Sequence, residues 1–76
     1  MRALVETRVF EVPVTVFSID GSRLETFNSG EGVKNIHRFG ARVTFEPAST
    51  DRIASTYAMD WNAFEKRTTL VRPAHV

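Results

Sequence analysis

The side chains able to perform chemistry are scattered along this chain rather than grouped in a catalytic motif. The two histidines, His37 and His75, lie 38 residues apart, and neither belongs to a His-Glu-x-x-His metal-binding sequence. The chain contains no cysteine, which excludes disulfides, thiolate metal sites and cysteine nucleophiles. The five serines occur in strand, turn or cap contexts, and none has the surroundings of a nucleophile elbow. We therefore expect no catalytic residue, no metal site and no cofactor.

Phosphate-binding motifs are also incomplete. Gly30 and Gly32 form a Gly-x-Gly, but no third glycine follows at the required distance and no P-loop lysine pattern is present. Paired carboxylates would need a water-poor cleft, which a chain of 76 residues can hardly enclose. An enzyme whose site forms between subunits therefore ranks last among three functional hypotheses.

The segment from Lys34 to Arg42 is the best candidate binding site. It combines three bases, a histidine and Phe39 between two glycines, a combination that suits single-stranded nucleic acid, where cations neutralise phosphates and aromatic rings stack on bases. The favoured alternative is a solvated loop whose Phe39 turns into the core. Lys66, Arg67 and Arg72 would extend the candidate binding site as a basic strip if the last strand lay beside residues 41–46. The candidate residues are Lys34, His37, Arg38, Phe39, Arg42, Trp61, Lys66, Arg67 and Arg72.

Trp61 has two interpretations, as does Tyr57. Both residues fit the apolar stripe of a helix, and both are aromatic types that are enriched at protein–protein interfaces. We expect core packing for the stripe as a whole, with Trp61 and Phe64 partly exposed near the helix end.

The charge balance argues against a strong general attraction to nucleic acid or membranes. Ten Lys and Arg residues face nine Asp and Glu residues, giving a net charge of +1. No stretch approaches the roughly 20 apolar residues of a membrane span. Glu6 and Arg8 interrupt the apolar run that a secretory signal requires. These features favour a cytoplasmic protein that does not bind membranes.

The strongest strand signal covers residues 3–19, which are rich in β-branched and aromatic side chains. The apolar alternation changes from odd to even positions near residues 10–13, beside Pro13, which predicts a bulged long strand or two separate strands. Asp20-Gly21 then predicts a two-residue type I′ turn and a hairpin over residues 14–27. In this register Phe17 faces Leu24, and both share one apolar face with Ile19.

In the second half of the chain, the spacing between apolar residues changes. Residues 33–39 have a spacing of three that suggests a single helical turn or an irregular loop. Residues 41–46 alternate as a one-sided strand. Ser49 or Thr50 then begins a predicted helix of about 15 residues. The apolar residues on one side of this helix, Ile53, Tyr57, Trp61 and Phe64, are spaced by four, four and three. A strand is the competing interpretation of that segment, because the same residues also alternate. Residues 68–72 predict a final strand.

These elements predict an α+β fold with a single domain over residues 1–76. About four antiparallel strands would form one layer, covered by a helix from the C-terminal half. No motif is specific to one family, so function is inferred by elimination. The preferred hypothesis is a small accessory or inhibitor protein that acts through protein–protein contacts. The alternative is a single-stranded nucleic-acid-binding protein, and edge strands at residues 3–12 or 68–72 could pair in a homodimer.

Overall fold

The computed structural model describes residues 7–71, which form one antiparallel sheet and one short helix. The order in the sheet is β3-β2-β6-β5-β4-β1-β7, and the sheet curls into a half-barrel. The elements are β1 (Thr7–Phe10), β2 (Val14–Ser18), β3 (Leu24–Phe27), β4 (Gly32–Phe39), β5 (Arg42–Pro47), β6 (Tyr57–Asp60), α1 (Trp61–Arg67) and β7 (Thr68–Val71). The predicted α+β fold with about four strands is therefore wrong, because the described chain is mostly β with seven strands.

The first source of this error is β4, which the sequence suggested to be a helical turn or loop. The spacing of three between Val33 and Ile36 comes from a β-bulge and not from a helix. The pairing with β5 shifts register between Lys34 and His37, and Asn35 has a φ angle of 52°. The extra residue returns Ile36 to the core side of the sheet, which mimics a helical spacing in the sequence.

The second source is the segment after β5, where the predicted helix of residues 50–66 is wrong over most of its length. Residues 57–60 are strand β6, hydrogen-bonded to β5 on one side and to β2 on the other. The helix begins only at Trp61, where the carboxylate of Asp60 accepts the Ala63 N–H at 3.0 Å as N-cap. Ser49 caps no helix; its hydroxyl accepts the Asp51 N–H at 3.1 Å within an irregular segment.

The predicted hairpin register is confirmed, since Phe17 pairs with Leu24 and Val14 with Phe27. The predicted type I′ turn is wrong, because that turn needs two residues with positive φ and only Gly21, at 75°, has one. The loop instead spans residues 19–22, closed by a bond from the Ser18 N–H to the Arg23 carbonyl at 2.9 Å. The division of the first strand region into β1 and β2 is confirmed, as is a strand from Thr68.

The concave side of the half-barrel is filled by aromatic rings. Phe64 of α1 stacks on Phe45 with ring centroids 5.2 Å apart, which fixes the helix against the sheet. Edge-on and tilted ring contacts link Phe10, Phe27 and Tyr57 to this pair in one cluster. The fully buried core consists of Phe10, Val16, Phe27, Val33, Val43, Phe45, Tyr57 and Phe64.

The segment between β5 and β6 is fastened to the hairpin by Arg52. Its guanidinium donates to Glu25 at 2.9 Å and makes a double contact with Glu31 at 2.9 and 2.5 Å. It also donates to the Thr26 carbonyl at 2.6 Å and lies 4.7 Å from the centre of the Phe27 ring. The Arg52 side chain therefore holds in place a segment that has no regular secondary structure.

The sheet has two edges, β3 and β7. β1 lies inside the sheet, bonded to β4 and β7, so the predicted edge at residues 3–12 is wrong for residues 7–10. Residues 3–6 of that prediction lie outside the described residues.

Candidate binding surface

The outer face of the half-barrel carries a row of neighbouring side chains that crosses five strands. Strand pairing makes each member the direct cross-strand partner of the next. Because side chains alternate between the two faces of a strand, residues in register share a face. From β3 to β4 the row consists of Leu24, Phe17, Ala58, Thr44 and His37.

One end of this row is an exposed apolar cluster, which we call the hairpin patch: Phe17, Ile19 and Leu24. Their exposed fractions are 60%, 62% and 58%. The apolar face that the sequence predicts for these three residues is exposed to solvent, because the opposite face, with Val16 and Phe27, enters the core. The even-numbered apolar positions that continue from Phe10 through Val16 were the signal for the buried face.

The other end of the outer face contains part of the predicted binding segment. Phe39 is 66% exposed, so it does not turn into the core. Its ring lies 6.5 Å from that of His37, and its cross-strand partner is Arg42. Lys34 is on the same face, where it pairs with Glu46. These four candidate residues therefore lie on one surface.

Arg38 lies on the opposite face, because it pairs with the buried Val43. Its guanidinium is 4.7 Å from the centre of the Trp61 ring, and that of Arg8 is 5.7 Å from the same ring. The strand thus divides the segment of residues 34–42 between its two faces. Trp61 is half-buried and packs against the core, but it begins the helix, and the expected partial exposure of Phe64 is wrong because that residue is fully buried.

The remaining candidate bases do not join this surface. Lys66 and Arg67 are exposed on α1, and Arg67 donates to the Ala63 carbonyl of its own helix at 3.4 Å. The predicted basic strip required the last strand to lie beside residues 41–46. Instead, β4 and β1 separate β7 from β5. Arg72 lies outside the described residues.

The charges on the outer face are mixed. Lys34 is opposite Glu46 and Arg42 is opposite Asp60, so each base on this face has an acid as cross-strand partner. The arrangement provides exposed aromatic and aliphatic side chains without a strong net charge.

The clear pKa shifts in the described residues arise from structural contacts. The pKa of Asp20 falls from 3.8 to about 2, because its carboxylate accepts the Ser22 N–H at 3.0 Å and the hydroxyls of Ser18 and Ser22 at 2.7 Å. Arg52 lowers the pKa of Glu31 through their double contact. Both carboxylates stabilise a loop in their charged form.

Residues 7–71 contain no cluster of three or more side chains that could hold a metal ion. A shallow cleft of about 220 Å³ lies between β4, the end of β5 and the segment that follows, with Lys34, Glu46 and Arg52 in its lining.

Within residues 7–71 no helix is long and apolar enough to cross a membrane. Comparison with protein-family models, with curated proteins and with solved structures finds no match for this chain.

Proposed function

We propose that this protein acts by binding another protein through the hairpin patch, as a small accessory or inhibitor protein does. The observation that carries the proposal is the exposure of Phe17, Ile19 and Leu24 together on one face. The solvent-facing side of an antiparallel sheet is usually polar, and contiguous exposed apolar patches mark interaction sites. Cytoplasmic location remains a prediction from the sequence.

The hairpin patch is held rigidly before any partner arrives. Phe17 pairs with both Leu24 and Ala58, so its strand is bonded on each side. Ile19 donates its N–H to the Thr56 carbonyl at 2.8 Å, which fixes the start of the hairpin loop. A patch that is already ordered loses little conformational entropy on binding, which favours affinity.

Protein capture with matched variants tests this proposal. Wild-type protein and the Phe17→Ser/Leu24→Ser variant are immobilised and exposed to a lysate of the native host, with cross-linking to identify contacts. The expected result is a partner that the wild type retains, that the double variant loses, and whose cross-links reach the hairpin. Val12→Ser is the control, because Val12 is an exposed apolar residue outside the patch. Equal capture by wild type and double variant would contradict the proposal.

The second candidate function is binding of single-stranded nucleic acid at the other end of the outer face. The specific observation is the exposed Phe39 ring beside His37, with Arg42 opposite and Lys34 on the same face. Exposed rings on a sheet stack with bases, and nearby cations contact phosphates. The acids opposite both bases make this candidate weaker than protein binding.

Oligonucleotide binding across a salt series tests the second candidate. Binding through this surface should weaken steeply with salt, and Phe39→Ala should reduce it about tenfold. Arg38→Ala should leave binding nearly unchanged, because Arg38 faces Trp61 on the concave side. Absence of binding at low salt would remove nucleic acid as a ligand.

A further inference from the structure

The two edges of the sheet differ in how their outward backbone groups are satisfied. In an antiparallel pair, successive residues alternate between bonding to the neighbouring strand and pointing away from it. The Ser18 N–H donates to the Arg23 carbonyl. The alternation therefore directs the backbone N–H and C=O of Thr26 away from β2. The Arg52 guanidinium donates to that Thr26 carbonyl at 2.6 Å. Its side chain therefore obstructs the β3 edge, as charged side chains commonly do on edge strands.

The β7 edge has no such cover within the described residues. Glu11 donates its N–H to the Arg67 carbonyl at 2.8 Å, so the alternation makes Leu70 point away from β1. Its N–H and C=O face the open edge. Residues 68–71 contain neither a charge nor a proline, and Leu70 and Val71 are 38% and 41% exposed. This is the type of strand to which another extended segment can be added.

The charges around β7 favour one type of partner. Arg8 is the cross-strand neighbour of Leu70, and its guanidinium donates to the Thr68 hydroxyl at 3.2 Å. No acid of residues 7–71 forms a salt bridge with Arg8, and its Nε is buried without a hydrogen-bond partner there. Arg67 immediately precedes the strand, and Lys66 precedes Arg67. Of the nearby acids, Glu11 accepts the Thr69 hydroxyl and Glu65 is exposed on α1.

We propose that the β7 edge binds an extended acidic peptide segment of a partner protein as an eighth strand. Leu70 provides the main-chain hydrogen bonds, and carboxylates of the peptide pair with Arg8 and Arg67. A second copy of this chain fits less well, because its own β7 (Thr68–Val71) carries no acid that could pair with these arginines. The site is separate from the hairpin patch, so either proposal can fail without the other.

Fluorescence anisotropy with labelled eight-residue peptides tests the charge preference. One peptide alternates Val with Glu, and its control alternates Val with Lys. We expect the Glu peptide to bind at least about tenfold more tightly at low salt, with the difference shrinking as salt rises. Equal binding of the two peptides, or no binding of either at millimolar concentration, would overturn the proposal.

Leu70→Pro tests the main-chain contact. Proline removes the N–H that points away from β1 and leaves the hydrogen bonds between β1 and β7 in place, a position that edge strands tolerate. The variant should keep the wild-type circular dichroism and bind the Glu peptide about tenfold more weakly. Amide exchange provides a readout that needs no variant: the Leu70 N–H should exchange rapidly in the free protein and become protected with the Glu peptide. Protection in the free protein, or a dimer that Leu70→Pro dissociates, would show that the edge is already occupied and would overturn the proposal.

Discussion

At the scale of single residues, Arg52 holds the irregular segment after β5 in place. It joins the segment after β5 to Glu25, Glu31 and the Thr26 carbonyl, and its guanidinium lies over Phe27. These partners come from residues 25–31, far from Arg52 in sequence. The sequence gives no periodic signal for such a contact, because a single arginine can pair with any acid that the fold brings near it.

Arg52→Gln should lower the free energy of unfolding by about 2 kcal/mol, because it removes the charge-assisted bonds to two carboxylates that are only partly exposed. Lys66→Gln is the control and should change it by less than about 0.5 kcal/mol, as exposed substitutions usually do. Chemical denaturation of the three proteins measures both values. A loss for Arg52→Gln no greater than that of the control would show that these contacts do not stabilise the fold.

Asp20 predicts how the hairpin loop responds to acid. Its pKa is lowered in the folded protein from 3.8 to about 2, so the charged carboxylate stabilises the fold above pH 3.8. That contribution is lost as the pH falls through about 2. Asp20→Asn should therefore be less stable than wild type at pH 5, and the difference should narrow towards pH 2. Denaturation at several pH values, with an NMR titration of the carboxyl carbon, checks this; a constant difference would contradict it.

At the scale of elements, α1 is attached to the sheet mainly by one ring. Phe64 is its fully buried residue and contacts both Phe45 and Phe10. A helix of seven residues is too short to be stable alone, so its formation depends on this packing.

Phe64→Ala should lower the free energy of unfolding by about 3–5 kcal/mol, through lost burial and the cavity left behind. Phe17→Ala should cost less than about 1 kcal/mol, because Phe17 is on the exposed face. Urea denaturation followed by circular dichroism compares the two. A similar cost for both would mean that Phe17 is packed and would also weaken the case for the hairpin patch.

The hairpin shows how far sequence patterns can lead. Its register follows from the spacing of apolar residues around Asp20-Gly21, and this part was predicted correctly. Which face is buried is not evident within residues 17–24, and the signal lies outside them, in the even-numbered apolar positions from Phe10 through Val16. Both faces of the hairpin carry apolar side chains, so the pairing alone does not decide which of them enters the core.

β4 shows where a local sequence pattern is misleading. A single extra residue at Asn35 changes an alternating pattern into one that resembles a helix, so the strand was missed. The sequence identified Phe39 as a candidate binding residue, but it did not show which side chains lie beside it. Lys34, His37 and Arg42 share its face, whereas Arg38 does not. Alternation alone separates Arg38 from His37 and Phe39, and the bulge brings Lys34 to their face instead of that of Arg38.

At the scale of the whole molecule, the strand order predicts slow folding. Neighbours in the sheet such as β1 and β7, or β2 and β6, are distant in sequence. Antiparallel sheets with many non-local pairings fold on millisecond-to-second timescales, because long loops must close before the contacts form. Stopped-flow refolding, followed by the fluorescence of Trp61, should show a phase in this range. Refolding completed within microseconds would contradict the expectation.

The central position of β1 has a consequence for synthesis in the cell. Residues 7–10 leave the ribosome before β4 and β7, which are their two bonding neighbours. Until residues 68–71 have been translated, one side of β1 has no strand to bond. A nascent chain therefore cannot complete the sheet strand by strand, and the sheet of residues 7–71 closes only after β7 has been translated.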